Sequence, residues 1–369
     1  MGIELTNTAE RLNNLRSLMK SEDVDLVALG PGAHMHWLLG FHPHPDERPC
    51  LLLVGPEREA FLMPALNAGG SRESTAIAFH EWDDAVGPAD ALEKALADVG
   101  GTNARSIVVD ETMRADFALL ILDKLGNCRR QFAGSTVGAL RMRKDEVERA
   151  ELKMNAAIAD RAMQAAFAAI RPGMREIEIA EAVEKSFVGE GARPLFRIVG
   201  TGRNGAFPHH QTGETIICDG DAIVIDIGAR KGDFSSDITR MAVVGDGPDG
   251  YAEIHAIVEA AVQAALEAAR PGVPASAVDK AARDVITEAG YGPYFVHRTG
   301  HGMGIEGHEP PYITSTADTI LQVGMVFSIE PGIYLPGRFG LRLEDIVFLN
   351  RDGPEILSGL PREVHRVEY

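Results

Sequence analysis

Apolar residues recur at two different periods along this chain, and the switches between them divide it into elements. AERLNNLRSLMK, residues 9–20, spaces its leucines and methionine as one face of a helix. VDLVAL, CLLLV and SIVVD are short apolar runs of strand length, whereas PADALEKALADV and ADFALLILDKL return to helical spacing. This alternation predicts an α/β domain ending near residue 132, with the small-residue segment AGSTVGAL as a linker. Domains are accordingly drawn at 1–138 and 139–369. Within the first, HMHWLLGFHPHPDERP (34–49) carries four histidines, but its prolines favour a loop over a metal site. Its Trp37 and Phe41 are expected to be exposed, as at a partner contact.

From Lys144 the pattern changes. KDEVERAELKMNAAIADRAMQAAFAAI reads as one long helix, and an internal repeat follows. AFAAIRPGMREIEIAEAVEKSFVGEG (166–191) aligns without gaps with ALEAARPGVPASAVDKAARDVITEAG (265–290), at an offset of 99. Arg171/Arg270, Pro172/Pro271, Gly173/Gly272 and Gly191/Gly290 match. The same offset sets His209 opposite His308. Slightly further on, Asp226 in AIVIDIG falls opposite Glu330 in MVFSIEPG, and Asp237 in SSDITR opposite Glu344 in LRLEDIV. Two copies of one supersecondary unit sharing a core would bring four carboxylates together from two sides.

Composition narrows the chemistry. A chain of 369 residues suggests two domains, and 45% hydrophobic with 24% charged residues is ordinary for a globular protein. A net charge of −18 argues against a nucleic-acid partner. Three widely spaced cysteines, with no CxxC, form no disulfide framework and point to a reducing compartment, the cytoplasm. No run of ~18 apolar residues predicts a membrane span. MGIELTNTAE lacks the regions of a secretory signal, and its Gly2/Thr6 match to a myristoylation pattern is taken as chance.

Four buried carboxylates cannot all stay ionised side by side without cations between them. Asp226 and Asp237 lie eleven residues apart on two strands joined by a turn, so both can face one centre. In IDIG and SIEPG an acid interrupts otherwise apolar strand, where an unpaired charge is costly. One imidazole, His301 of HRTGHGMGIEGHEPP, would complete a shell for two divalent ions. Mn2+ comes first, with Co2+, Zn2+ or Fe2+ as alternatives.

Together, VIDIGA, SSDITR, HRTGHGMGIEGHEPP, FSIEPGIY and LRLEDIV make the chain resemble the M24 metallopeptidases of pita-bread fold: Xaa-Pro aminopeptidase, prolidase and methionine aminopeptidase. The resemblance implies a creatinase-like α/β domain followed by a pseudo-twofold α+β catalytic domain. It implies Asp226, Asp237, His301, Glu330 and Glu344 as metal ligands, with Asp237 and Glu344 bridging. His209, His308 and Glu330 would serve catalysis, and His297, Tyr334 and Arg342 would contact substrate. In FPHHQ, His210 is an alternative to His209, and Arg342 could instead support Glu344. The implied reaction is attack on an Xaa-Pro bond by hydroxide generated between two metals, with a small peptide bearing proline at its second position as substrate. A homodimer is implied as well, because in related enzymes the region of residues 34–49 approaches another subunit's active site. Dipeptides are favoured over longer peptides, since Arg342 and His297 could read a terminal carboxylate. Two rivals are an ectoine-hydrolase-like enzyme acting on a non-peptide C–N bond and a non-catalytic pita-bread binding module.

Overall fold

The computed structural model describes residues 8–368, so Gly2 and Thr6 lie outside the described residues. Two compact units divide between Arg141 and Met142. The first contains α1 (Thr8–Ser21), β1 (Leu26–Leu29), α2 (Ala33–Leu39), β2 (Leu51–Val54), β3 (Glu59–Pro64) and α3 (Ala65–Arg72). It continues with β4 (Ala78–Trp82), α4 (Ala89–Asp98), β5 (Ser106–Val109), α5 (Ala115–Leu125), β6 (Arg129–Phe132) and α6 (Val137–Met142). Its six strands form one mixed sheet in the order β4-β3-β2-β1-β5-β6. Leu26, Leu51, Leu62 and Ile107 of the sheet pack with Leu92 and Leu96 of α4 and Phe117 and Ile121 of α5.

Two expectations for this unit are corrected. AGSTVGAL is no open linker: it forms a 3-10 turn, Ala133–Ser135, and most of α6, with Ala133, Thr136 and Val137 fully buried. Small residues here allow close packing rather than flexibility. The 34–49 segment begins as helix α2, which Gly40 ends in the left-handed region at φ 82°. Trp37 is buried at 6% exposure, with the Arg11 guanidinium 4.4 Å from its ring. Only the proline-bearing remainder is loop.

The second unit opens with two helices, α7 (Glu146–Ala169) and α8 (Glu176–Gly189), followed by β7 (Arg193–Thr201), β8 (Ala222–Lys231), β9 (Phe234–Ser235) and β10 (Ile238–Val244). A second pair, α9 (Tyr251–Ala268) and α10 (Ala275–Glu288), precedes β11 (Gly300–Gly302), β12 (Glu309–Ile313), β13 (Val326–Ile329) and β14 (Gly332–Leu335). The chain closes with β15 (Phe339–Arg342), β16 (Asp345–Asn350), β17 (Gly353–Ile356) and β18 (His365–Val367). One sheet runs β18-β10-β8-β7 with β9 against β8, another runs β12-β11-β13-β16-β17, and β14-β15 form a ribbon.

The repeat is visible in the backbone. Gly173 and Gly272 both take positive φ, 88° and 91°. Gly173 N–H donates to Ile217 and Gly272 N–H to Leu321, each at 2.8 Å. Strand periodicity then aims the site. Ile223, Ile225 and Ile227 of β8 enter the core beneath α7 and α8 with Met163, Val183 and Phe187. Asp226 therefore projects from the opposite face.

Helix α7 is anchored by a capping box. Asp145 accepts from the N–H groups of Val147 and Glu148, and the Glu148 carboxylate accepts from Asp145 N–H. Asp145→Ala should destabilise the protein by about 1 kcal/mol, lowering Tm by roughly 2–4 °C. Calorimetry checks this, and an unshifted Tm would mean the cap is energetically idle.

Candidate metal centre

Side chains from five places in the strands of the second unit converge on one cavity of about 570 Å3. Asp226 comes from the middle of β8, Asp237 from the junction of β9 and β10, and His301 from the centre of β11. Glu330 directly follows β13 and Glu344 directly precedes β16. Because Ile329 pairs with Asp345 across those antiparallel strands, the two glutamates leave the sheet side by side. Asp226, Asp237 and Glu344 each present an oxygen within 4.8 Å of the others; His301, Glu330 and Glu344 likewise present one ligand atom each. The two trios share Glu344.

Hydrogen bonds fix the protonation pattern. His301 Nδ1–H donates to the Gly302 carbonyl at 3.0 Å, which turns the Nε2 lone pair toward Glu330 Oε1 at 3.3 Å and Asp237 Oδ2 at 3.8 Å. A lone pair facing two carboxylate oxygens calls for a cation between them. Burial, helped by His308, pushes the His301 pKa down to about 3, so the imidazole itself stays neutral. Burial lifts Glu330 to about 7, with Arg342 opposing and Asp226 adding. Asp237 and Glu344 are raised well above the usual carboxylate range, by burial first and then by their carboxylate neighbours. Among the described residues, Asp226 Oδ1 is buried and finds no hydrogen-bond partner. The donor set thus fits divalent cations, in electrostatics as in shape.

The supporting residues are less accessible than the sequence suggested. Arg342 is 3% exposed. It donates to Asp226 Oδ2 (2.5 Å), Tyr334 Oη (2.7 Å), Thr239 Oγ1 (3.1 Å) and the Pro208 carbonyl (3.4 Å). Four of a guanidinium's five N–H groups are thereby engaged. Its carboxylate partner is Asp226; it reaches Glu344 only through Thr239, whose hydroxyl donates to Glu344 Oε2 at 2.7 Å. Tyr334 is buried and does not line the cavity; its hydroxyl accepts from Arg342 and lies 2.8 Å from His297 Nε2. With Nδ1 donating to the Arg298 carbonyl at 2.7 Å, His297 is a neutral wall residue, its pKa pushed down to about 4 by burial and by Arg342.

His209 and His308 line the cavity, whereas His210 Nε2 lies 2.8 Å from the fully buried Glu176 carboxylate. The His308 ring packs 3.9 Å from that of His301. Arg298 went unremarked in the sequence although it sits inside HRTGHG. It lines the cavity, places Nη2 3.3 Å from His308 Nδ1, and lies 4.7 Å from the Tyr312 ring. Its place three residues before His301, which faces the cavity, was the available signal. In the first unit, His34, Asp110 and Glu111 also cluster. There, however, Asp110 already accepts from Gly30 N–H and from Thr112 N–H and Oγ1–H, and His34 Nδ1 lacks the partner that orients a ligating ring.

Residues 150–351 match the model of metallopeptidase family M24, and residues 11–143 match the creatinase/prolidase N-terminal domain. The chain belongs to metallopeptidase family M24. This M24 peptidase is 37% identical over 345 residues to a probable dipeptidase PepE of Mycobacterium tuberculosis, covering 92% of this chain and 91% of the relative. It is 32% identical over 360 residues to an Xaa-Pro dipeptidase of Pyrococcus furiosus, covering 96% and 99%. The crystal structure of dipeptidase PepE from Mycobacterium ulcerans superposes with a TM-score of 0.93 at 34% identity, covering 100% of both chains. The creatinase-like domain followed by a pita-bread catalytic domain, as expected, is the architecture of this peptidase.

Raised carboxylates make the metal-free peptidase sensitive to pH in an unusual sense. Folded Glu330, Asp237 and Glu344 hold protons more tightly than they do unfolded, so each contributes stability that is lost as pH rises from its ordinary value through the folded one. His297 and His301, held neutral, act oppositely but only below 6.5. The Tm of chelated enzyme should therefore fall as pH rises from 6.5 through about 7, and saturating divalent metal should abolish the fall. A flat calorimetric profile for the chelated enzyme would contradict this electrostatic picture.

Proposed function

We propose that this peptidase is an Xaa-Pro dipeptidase in which Asp226, Asp237, His301, Glu330 and Glu344 hold two divalent cations, with Asp237 and Glu344 shared between them. The observation that carries the reading is the pair of overlapping ligand trios around Glu344. The predominance of carboxylates favours Mn2+, with Co2+, Zn2+ or Fe2+ as substitutes. Such cations, when bound, acidify water and polarise a carbonyl.

The remaining work falls to the side chains. A bond before proline has no N–H to grip, so recognition must use shape and the two ends of the substrate. His209 and His308 stand on the cavity wall as donors for the oxyanion that forms at the scissile carbonyl. Glu330, steadied by Ser328 Oγ–H at 3.0 Å, carries the proton that the leaving proline nitrogen requires. Arg298 takes over the role first expected of Arg342, pairing with the free carboxylate of the proline residue. His297, with Tyr334 behind it, forms the neutral wall beside that ring.

The dipeptide substrate is supported by the relatives named above, which are called dipeptidases. All three cysteines are free, which accords with a cytoplasmic location. Among the described residues, no helix is long and apolar enough to cross a membrane. The homodimer remains part of the proposal, although the buried Trp37 no longer marks its interface.

Comparison of kcat/KM for Ala-Pro, Ala-Pro-Ala and Ala-Pro amide tests the assignment. Ala-Pro should be fastest, and Arg298→Gln should raise its KM roughly 10- to 100-fold while sparing the amide. His209→Ala should lower kcat by ~10²-fold with metal content unchanged. Faster turnover of the tripeptide would make the protein an Xaa-Pro aminopeptidase, and inactivity on all three would favour a non-peptide C–N substrate.

A further inference from the structure

A second charged pair lies behind the loop that carries His308. Lys144 Nζ stands 2.5 Å from Glu309 Oε1, and both side chains are only 1% exposed. Burying two charges is costly even when they are paired, so such a pair is weak evidence for stability. Its placement is more telling. Lys144 is fixed at its own backbone, where its N–H donates to the Gly324 carbonyl at 2.7 Å. Glu309 is the first residue of β12 and directly follows His308.

The loop between β11 and β12 folds around this pair. Gly304 is packed so closely that a Cβ there would lie 2.7 Å from Glu309 Oε1 and 2.9 Å from Lys144 Cε. The Gly304 carbonyl accepts from Ser235 N–H at 3.0 Å, and the second Glu309 oxygen accepts from Glu306 N–H at 3.3 Å. His308, by contrast, is exposed, its ring packing on the His301 ring and its Nδ1 lying 3.3 Å from Arg298 Nη2. With glycines at 304 and 307, the loop has little stiffness of its own. Its position must be imposed from outside.

We propose that the Lys144–Glu309 pair is a positioning device for His308, holding the backbone so that the imidazole stays against His301 and faces the cavity. The proposal rests on the role given to His308 above. Lys144 and Glu309 touch neither the cavity nor its contents; they act through the loop.

The test combines Lys144→Met/Glu309→Gln, which leaves no charge buried alone, with His308→Ala and the triple variant. Bound metal per chain should stay unchanged, kcat for Ala-Pro should fall ~10²-fold, and adding His308→Ala should cost nothing further. In zinc-loaded enzyme labelled with 15N-histidine, the His308 ring signals, assigned by their loss in His308→Ala, should shift in the pair variant. Losses that multiply instead of overlapping, or unmoved His308 signals, would overturn the proposal. Should Ala-Pro prove not to be a substrate, the ring signals alone decide, because they do not depend on the reaction. If the double variant does not fold, Glu309→Gln takes its place with the same readouts.

Discussion

The catalytic unit is organised around a repulsion. Asp226, Asp237, Glu330 and Glu344 share one buried place, and the cation nearest to them is the guanidinium of Arg342 on Asp226. Four negative charges against Arg342 and the cavity-lining Arg298 leave an excess of two, which two divalent cations would turn into a net positive charge of two. That balance suits a substrate with a free carboxylate. The surrounding choices follow from it: neutral histidines rather than lysines on the wall, and hydroxyl donors from Thr239 and Ser328 to Glu344 and Glu330. Below this layer, Arg240 is fully buried, pairs with Asp345 at 2.7 Å and donates to the Glu344 carbonyl, pinning the strand that brings Glu344 in.

The same crowding explains the glycines of HRTGHGMGIEGHEPP. A Cβ at Gly300 would lie 1.9 Å from the Ser328 carbonyl oxygen, and one at Gly302 would lie 2.3 Å from that of Pro310. Strand β11 is squeezed between β12 and β13 so that His301 can reach the centre. Gly304 yields to the Lys144–Glu309 pair, and only Gly307 has open space around it. Three of the four glycines in that stretch are therefore consequences of packing close to the centre, not of turn geometry.

What the sequence made legible was whatever has a period or a repeat. The strand AIVIDIG announced Asp226 because an acid breaks an apolar run, and the internal repeat, which starts at an offset of 99, announced Glu330 and Glu344, 104 and 107 residues beyond Asp226 and Asp237. Long-range pairings left no such trace. Arg298 and Arg342 look alike as basic residues in motifs, yet only folding shows that Asp226, Tyr334 and Thr239 engage one and not the other. Trp37 was misplaced because nearby prolines concealed a short helix, and the partner stacked on it, Arg11, comes from a different helix. The edge strand β4, AFHEW, carries no apolar alternation to announce it, its residues running exposed, half-buried, half-buried, exposed and buried.

Whether two divalent cations share Glu344 is decided by counting bound metal. Equilibrium dialysis of chelated enzyme against Mn2+ should give about two ions per chain in the wild type. Glu344→Gln should weaken both sites together, while His301→Ala should spare the ion held by Asp226, Asp237 and Glu344. Binding of a single ion by the wild type, or two ions retained with unchanged affinity in Glu344→Gln, would contradict the account.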